Sequence, residues 1–421
     1  MFTNDFKETQ IGFLPKSWEV VTLGVLADYI NGYAFKPQQW ETEGRPIIRI
    51  QNLTGSSDTV NYFSGELDNR YFIASGDLLI SWSASLDAYI WQGEEAWLNQ
   101  HIFKVDNIND KCDKKFLYFA LKQIIESIRG KTRGSTMKHI TRKEFIATPV
   151  MLPPLPEQLA IAHVLSTVRQ AIDATEQVIA AARELKRSLM MHLFTYGPVP
   201  VDQADQVKLK ETEIGEVPEG WKITSFGDIA VLKNGINFSK SQKGNEGYLT
   251  IDVLNMYSDG IDVRMDKLYR VNIDLKEDYL LTQGDILFVR SSFKQEGVGW
   301  PALFTDYTEP VTYCGFLIRA RLTSDKANPE YLLNYFRLPV VRRLLVSKSG
   351  KVAITNINQG NLRAMPIPCP PISIQSNIAD TISTIDNKLM VETQRKTALE
   401  ALFNSLLHQL MTGKVRVQTE I

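Results

Sequence analysis

Two stretches of the chain carry a helical apolar rhythm far longer than an ordinary globular helix. After Pro153-Pro154 the sequence runs from Pro156 to about Phe194 without Gly or Pro, and after Pro370-Pro371 it runs from Ser373 to about Met411 likewise. In the second stretch Ile378, Ile382, Ile385, Leu389, Leu399, Phe403, Leu406 and Leu410 fall on one alternating 4-3 series. In the first, Ile161, Leu165, Val168, Ile172, Ile179, Ala182, Leu189 and Leu193 do the same. This spacing predicts two helices with apolar coiled-coil seams. Pro156 suits a first turn, Ser373 an N-cap, and Gly197 and Gly413 the helix ends. At ~1.5 Å per residue each helix is about 55–60 Å long. The simplest burial of the two stripes is one against the other; the alternative is an ordinary helical hairpin between domains. Elsewhere the pattern shortens to strand-like runs punctuated by Gly, Asn and Asp, such as Pro46–Ile50, Asp77–Ser81, Ile286–Arg290 and Phe316–Ala320. Short helices are expected over Lys114–Ile128 and Pro329–Val346. The fold class is therefore α+β, a mixed α/β globule in each half.

The pattern occurs twice. Lys7-Glu-Thr-Gln-Ile-Gly12 returns as Lys210-Glu-Thr-Glu-Ile-Gly215, and the same offset of 203 aligns Pro15 with Pro218, Trp18 with Trp221 and Asn31-Gly32 with Asn234-Gly235. Gly76-Asp77 matches Gly284-Asp285 at offset 208, and Pro153-Pro154 matches Pro370-Pro371 at offset 217, which holds through Gln158/Gln375 and Leu193/Leu410. The edges of the unit are fixed, and its interior gains 14 residues net in the second copy (offset 217 against 203). The expected division is 1–153 and 201–371 as two homologous domains, with helices in 154–200 and 372–421 separating them.

Composition narrows this. With 44% hydrophobic and 23% charged residues, the chain of 421 residues is a folding sequence. No run approaches the ~18–20 apolar residues of a membrane span, and Met1 to Gln10 shows no apolar signal core. Three scattered cysteines, Cys112, Cys314 and Cys369, argue against a disulfide framework and a zinc cluster. A cytoplasmic location is expected. The net charge of −1 excludes a uniformly basic coat, so any nucleic-acid surface must come from local segregation of charge.

Catalytic signatures are missing. Ser349-Gly350-Lys351 lacks the upstream Gly and the following Ser or Thr of a phosphate loop. Asn328-Pro-Glu-Tyr331 is better read as a helix start, and the two Gly-Asp pairs as turns feeding strands. Trp18 and Trp221 are expected to pack. No catalytic or metal-ligating residue is assigned.

Charge segregation is the positive signal. No acid occurs between Glu126 and Glu144, a stretch holding Arg129, Lys131, Arg133, Lys138, His139, Arg142 and Lys143. None occurs between Glu330 and Asp380, where Arg337, Arg342, Arg343, Lys348, Lys351 and Arg363 lie. Both windows precede the Pro-Pro pairs. Cations neutralise phosphates, and polar side chains beside them read base edges. The candidate DNA contacts are Arg129, Lys131, Arg133, Ser135, Thr136, Lys138 and His139 in the first copy, and Arg290, Lys348, Lys351, Asn356 and Asn358 in the second. Ile161, Leu165, Val168, Ile172, Ile179, Leu189, Ile378, Ile382, Ile385, Leu389, Phe403 and Leu406 are the candidates for the spacer helices or partner contact.

Taken in order, these motifs resemble the specificity subunit of type I restriction–modification enzymes. They are Ile-Gly-x-x-Pro-x-x-Trp at 11–18 and 214–221, Gly-Asp-x-Leu at 76–79 and 284–287, Pro-Pro-Leu-Pro-Glu-Gln at 153–158, and Leu-Met-Thr-Gly-Lys-Val-Arg-Val at 410–417. The second helix start departs, with Ile374 where the first has Glu157. The resemblance implies two target recognition domains related by a pseudo-twofold, each reading one half of a split, asymmetric double-stranded DNA site, with two long antiparallel helices as a ruler for the unread gap. It implies a non-catalytic chain that binds no cofactor and recruits two modification subunits, which use S-adenosylmethionine, and restriction–translocation subunits, which use ATP and Mg. The competing readings are a methyltransferase or nuclease with an unrecognised site, and a DNA-free scaffold.

Overall fold

The computed structural model describes residues 5–83, 85–131, 141–258, 260–292, 297–305, 307–347 and 355–417, without the side chains of 129–131 and 355. It divides into two compact units, Met1–Ala174 with Lys396–Ile421, and Thr175–Arg395. The division falls inside both long helices, so each unit holds part of each.

The duplication extends to strand order. In the first unit an antiparallel sheet runs Asp28–Asn31, Ile102–Asp106, Leu78–Ser81, Asp87–Ile90. In the second the equivalent sheet runs Ala230–Asn234, Leu317–Leu322, Ile286–Val289, Pro301–Leu303. A further four-stranded sheet in each unit contains one parallel pair: Arg45–Ile48 with Ala96–Leu98, and Tyr248–Ile251 with Val311–Tyr313. The residues Gly-Asp turn the chain into a central strand in both copies. Gly76 and Gly284 sit at φ +90° and +89°, where a Cβ is unfavourable. The following carboxylates accept from the Ala74 and Thr282 backbone N–H at 2.9 and 2.8 Å. The four strand-like runs expected from sequence are present with shifted ends, as Arg45–Ile48, Leu78–Ser81, Ile286–Val289 and Leu317–Leu322.

The helix expected over Lys114–Ile128 spans Lys114–Lys131. Its counterpart is two helices, Pro329–Arg337 and Pro339–Ser347. Pro339 forces Leu338 out of helical geometry, to φ −60° and ψ 135°. Asn328 accepts from the Tyr331 N–H at 2.9 Å as the N-cap, and Asp113 accepts from Phe116 at 2.8 Å in the same way.

The long helices are Leu155–Tyr196 and Ile372–Met411. Ser373 therefore lies in the first turn and is not the cap. Gly197 and Gly413 follow the helices at φ +84° and +67°. Ile161, Leu165, Ile172, Ile179, Leu193, Ile378, Ile382 and Leu410 are buried, and Val168, Ala182, Leu189, Ile385, Leu389, Leu399, Phe403 and Leu406 half-buried. Within the second unit the helices run antiparallel: Lys186 meets Asp386 at 2.5 Å, and Met190, Leu193 and Phe194 share a core with Ile378, Ala379 and Ile382. Within the first, Ile161, Ala162 and Leu165 share a core with Leu407, Leu410 and Met411. The 4-3 series also passes through Thr175, Lys186, Glu392 and Lys396, so the seam is polar near its middle. Thr175 and Glu392 are buried there.

Candidate nucleic-acid interface

Each unit joins its sheets to its helices by one buried amide. Gln158 Nε2 donates to the Lys111 and Pro153 carbonyls, both at 2.8 Å, while its Oε1 accepts from the Asp113 N–H at 2.9 Å. Gln375 repeats all three bonds, to Lys326, Pro370 and Asn328, each at 2.9 Å. The aligned Gln thus fixes the start of a long helix to the start of the domain helix. An apolar residue here would leave one buried and two partly buried backbone groups without this partner.

The first unit adds an ionic clamp. Glu157, 5% exposed, accepts from Trp18 Nε1 at 2.9 Å and from Arg416 Nη2 at 2.7 Å and Nε. The segment after the second long helix is so tied to the start of the first. In the second copy Ile374 replaces the glutamate, and 197–200 carry no cation. Trp18 and Trp221 pack as expected, at 0% and 8% exposure.

The candidate reading edge lies where the outer-strand hairpin meets the segment before a short helix. In the second unit Ser291–Ser292 pairs with Thr355–Asn356. The Arg290 carbonyl accepts from the Ile357 N–H at 3.0 Å, and Arg290 Nη1 reaches the Gly315 carbonyl at 3.4 Å. Asn356 and Asn358 are exposed. Asn358 also caps the helix Gln359–Arg363, accepting from the Asn361 N–H at 2.8 Å. Thr141 holds the same place before Arg142–Ile146. The structure thus brings Arg290, Asn356 and Asn358 together. Arg133, Ser135, Thr136, Lys138, His139, Lys348 and Lys351 lie outside the described residues. Arg129 and Lys131 lie on the end of Lys114–Lys131, and their side chains are outside the description.

Two cations of the second basic window are only partly exposed. Arg337 and Arg342 stack on Trp300, with guanidinium-to-ring-centre distances of 4.9 and 5.5 Å. Arg337 also donates to the Gly260 and Pro301 carbonyls at 3.0 and 3.2 Å. Burial lowers the pKa of both, that of Arg337 to about 10. Arg343 and Arg363 are exposed. In the first window Arg142 donates to the Tyr29 carbonyl at 2.9 Å. The sequence reading missed Trp300 because its partners lie more than 35 residues away on a helix. It also missed Asp87 and Lys122, which meet at 2.7 Å and fall in neither basic window.

Among the described residues no group of three or more His, Cys, Asp or Glu is placed to hold a metal. No described helix is long and apolar enough to cross a membrane.

Comparison with known proteins agrees with this architecture. The model of the family described as "Type I restriction modification DNA specificity domain" matches residues 15–184 and 218–401. The MjaVIII type I restriction enzyme specificity subunit of Methanocaldococcus jannaschii is 26% identical, over 98% of this chain and 96% of its own. The EcoBI specificity subunit of Escherichia coli is 25% identical, over 96% and 87%. The crystal structure of the S subunit of a type I restriction–modification system from M. genitalium superposes with a TM-score of 0.59 at 15% identity, covering 98% of both chains. Two sheet-and-helix units of matching strand order, two long helices, and a family match in each half lead to one assignment: the chain belongs to the type I restriction–modification DNA specificity family.

Proposed function

We propose that this chain is the non-catalytic reading subunit of a type I restriction–modification complex, and that it recognises a bipartite, asymmetric DNA site. Domains 1–153 and 201–371 each read one half. The helices in 154–200 and 372–421 set the unread gap between them and offer a surface to partner subunits. Two modification subunits supply S-adenosylmethionine-dependent methylation, and restriction–translocation subunits supply ATP- and Mg-dependent cleavage.

One observation carries the reading: two frames of the same strand order hold unlike loops. The outer hairpin has five residues between Ser81 and Asp87, but ten between Val289 and Trp300. Conserving the frame while changing the loop is what two different half-sites demand of a duplicated reader. Arg290, Asn356 and Asn358 supply phosphate and base-edge chemistry at that loop, and the sequence before Asn356 carries the cations Lys348 and Lys351. The test is methylation of duplex DNA by the modification partner with and without this chain. Site-specific methylation only when the chain is present supports the proposal. Target methylation by the partner alone, or by this chain alone, overturns it.

A further inference from the structure

The two copies brace their outer hairpin against the domain helix with different chemistry at the same two positions. In the first unit Ile80 pairs with Ala88 and Ser81 with Asp87. In the second Phe288 pairs with Pro301, and the Val289 N–H donates to the Trp300 carbonyl at 3.0 Å. By register Trp300 stands where Asp87 stands. The helix positions correspond as well: Lys122 is nine residues past the cap Asp113, and Arg337 nine past the cap Asn328.

The partners have changed together. Lys122 Nζ donates to Asp87 Oδ1 at 2.7 Å, the side chains being 26% and 22% exposed. Tyr89 and Tyr118 flank the ammonium at 5.6 and 5.7 Å. In the second unit the Arg337 guanidinium lies over the Trp300 ring and holds the Pro301 carbonyl. A cation on the helix is kept, while its partner on the return strand switches from carboxylate to indole. A change confined to one member would break either brace. A lysine over Trp300 would lose the fork that reaches Pro301, and an indole at position 87 would leave Lys122 without a carboxylate.

We propose that Lys122–Asp87 and Arg337–Trp300 are equivalent positioning pairs, each fixing its hairpin on the domain helix and so setting the base discrimination of its own half-site. The pairs act through the hairpin and need not touch DNA. The idea rests on the bipartite reading above. Because the first brace joins two opposite charges and the second joins a guanidinium to a ring and a carbonyl, salt weakens the first more than the second.

The test uses the full chain assembled with its modification partner, and duplexes carrying the methylated motif with single base changes in either half. Lys122→Met and Asp87→Asn are expected to lower discrimination in one half, the same half for both, by about threefold to tenfold. The other half stays unchanged. Lys122→Arg and the reversed pair D87K/K122D are expected to restore most of the loss. Trp300→Leu and Arg337→Met act on the opposite half. Raising the salt erodes the first half's discrimination more than the second's. Unchanged discrimination, equal loss in both halves, or a reversed pair no better than the single variants overturns the proposal. If the unaltered chain itself discriminates in no half, the bipartite reading fails instead.

Discussion

Replacing Arg416 by Ala removes the cation that faces a nearly buried carboxylate. Glu157 then keeps only the Trp18 indole N–H, and one or more of its lone pairs lose their donors in a site with little access to water. Breaking a wholly buried pair costs about 3–5 kcal/mol, while exposed pairs contribute about 0–1 kcal/mol. The Glu157 side chain is 6% exposed and that of Arg416 45%, so screening on the arginine side places the loss near 2 kcal/mol. The loss is local, since the bond closes only the segment after the second long helix, where Val417 packs against the same core. The suitable assay is hydrogen exchange of the amides in 404–417, whose opening should become about thirtyfold more frequent, the equivalent of about 2 kcal/mol. The pair E157I/R416V, which imports the apolar character of the second copy, should cost less than the sum of its single variants. Unchanged exchange in Arg416→Ala, or strict additivity in the pair, would refute the assignment of a coupled clamp.

Other consequences are equally open to measurement. Gln158→Leu or Gln375→Leu strands three backbone groups. Each should destabilise its own unit by about 2–4 kcal/mol in denaturant unfolding; an unshifted midpoint would show that the triple bond is incidental. Inserting four residues, about one helical turn, into 170–185 should lengthen the tolerated gap in the methylated motif and leave both halves unaltered. Altered halves would contradict the ruler role. Burial pushes the Cys112 and Cys314 thiols up to about 12, and Cys369 to about 11. A thiol pKa raised in the folded state favours folding below its ordinary value, and that contribution fades as pH rises from there through the folded value. Native protein at pH 8 should therefore label slowly at Cys112 and Cys314. Labelling at the rate of a free thiol would contradict their burial.

Repetition and periodicity were legible in the sequence because they are local or self-referential. Offsets between Trp18 and Trp221, or between Gln158 and Gln375, need no structure to be seen, and the runs free of Gly and Pro located both long helices within one or two residues of their observed ends. Burial of charge was not legible. Arg337 and Arg342 look like members of a solvated basic run until Trp300 arrives from a distant strand. Nor does the sequence single out Glu157, whose counterpart is Ile374. Its task depends on Arg416, 259 residues away. Such pairings are set by strand register and helix phase together, which a linear charge count does not contain. The break at Pro339 could have been foreseen from proline's effect on the preceding residue, but the apolar pattern runs on past it.

The central claim is that one chain reads two unlike half-sites with two like domains. Its most direct test is single-molecule sequencing of methylated positions in cells carrying this chain, or the same chain with residues 1–150 exchanged for those of another family member. The account predicts a two-part motif in which the exchange rewrites one part and leaves the gap and the other part as they were. A continuous motif, a change in both parts, or methylation that persists without the chain would contradict it.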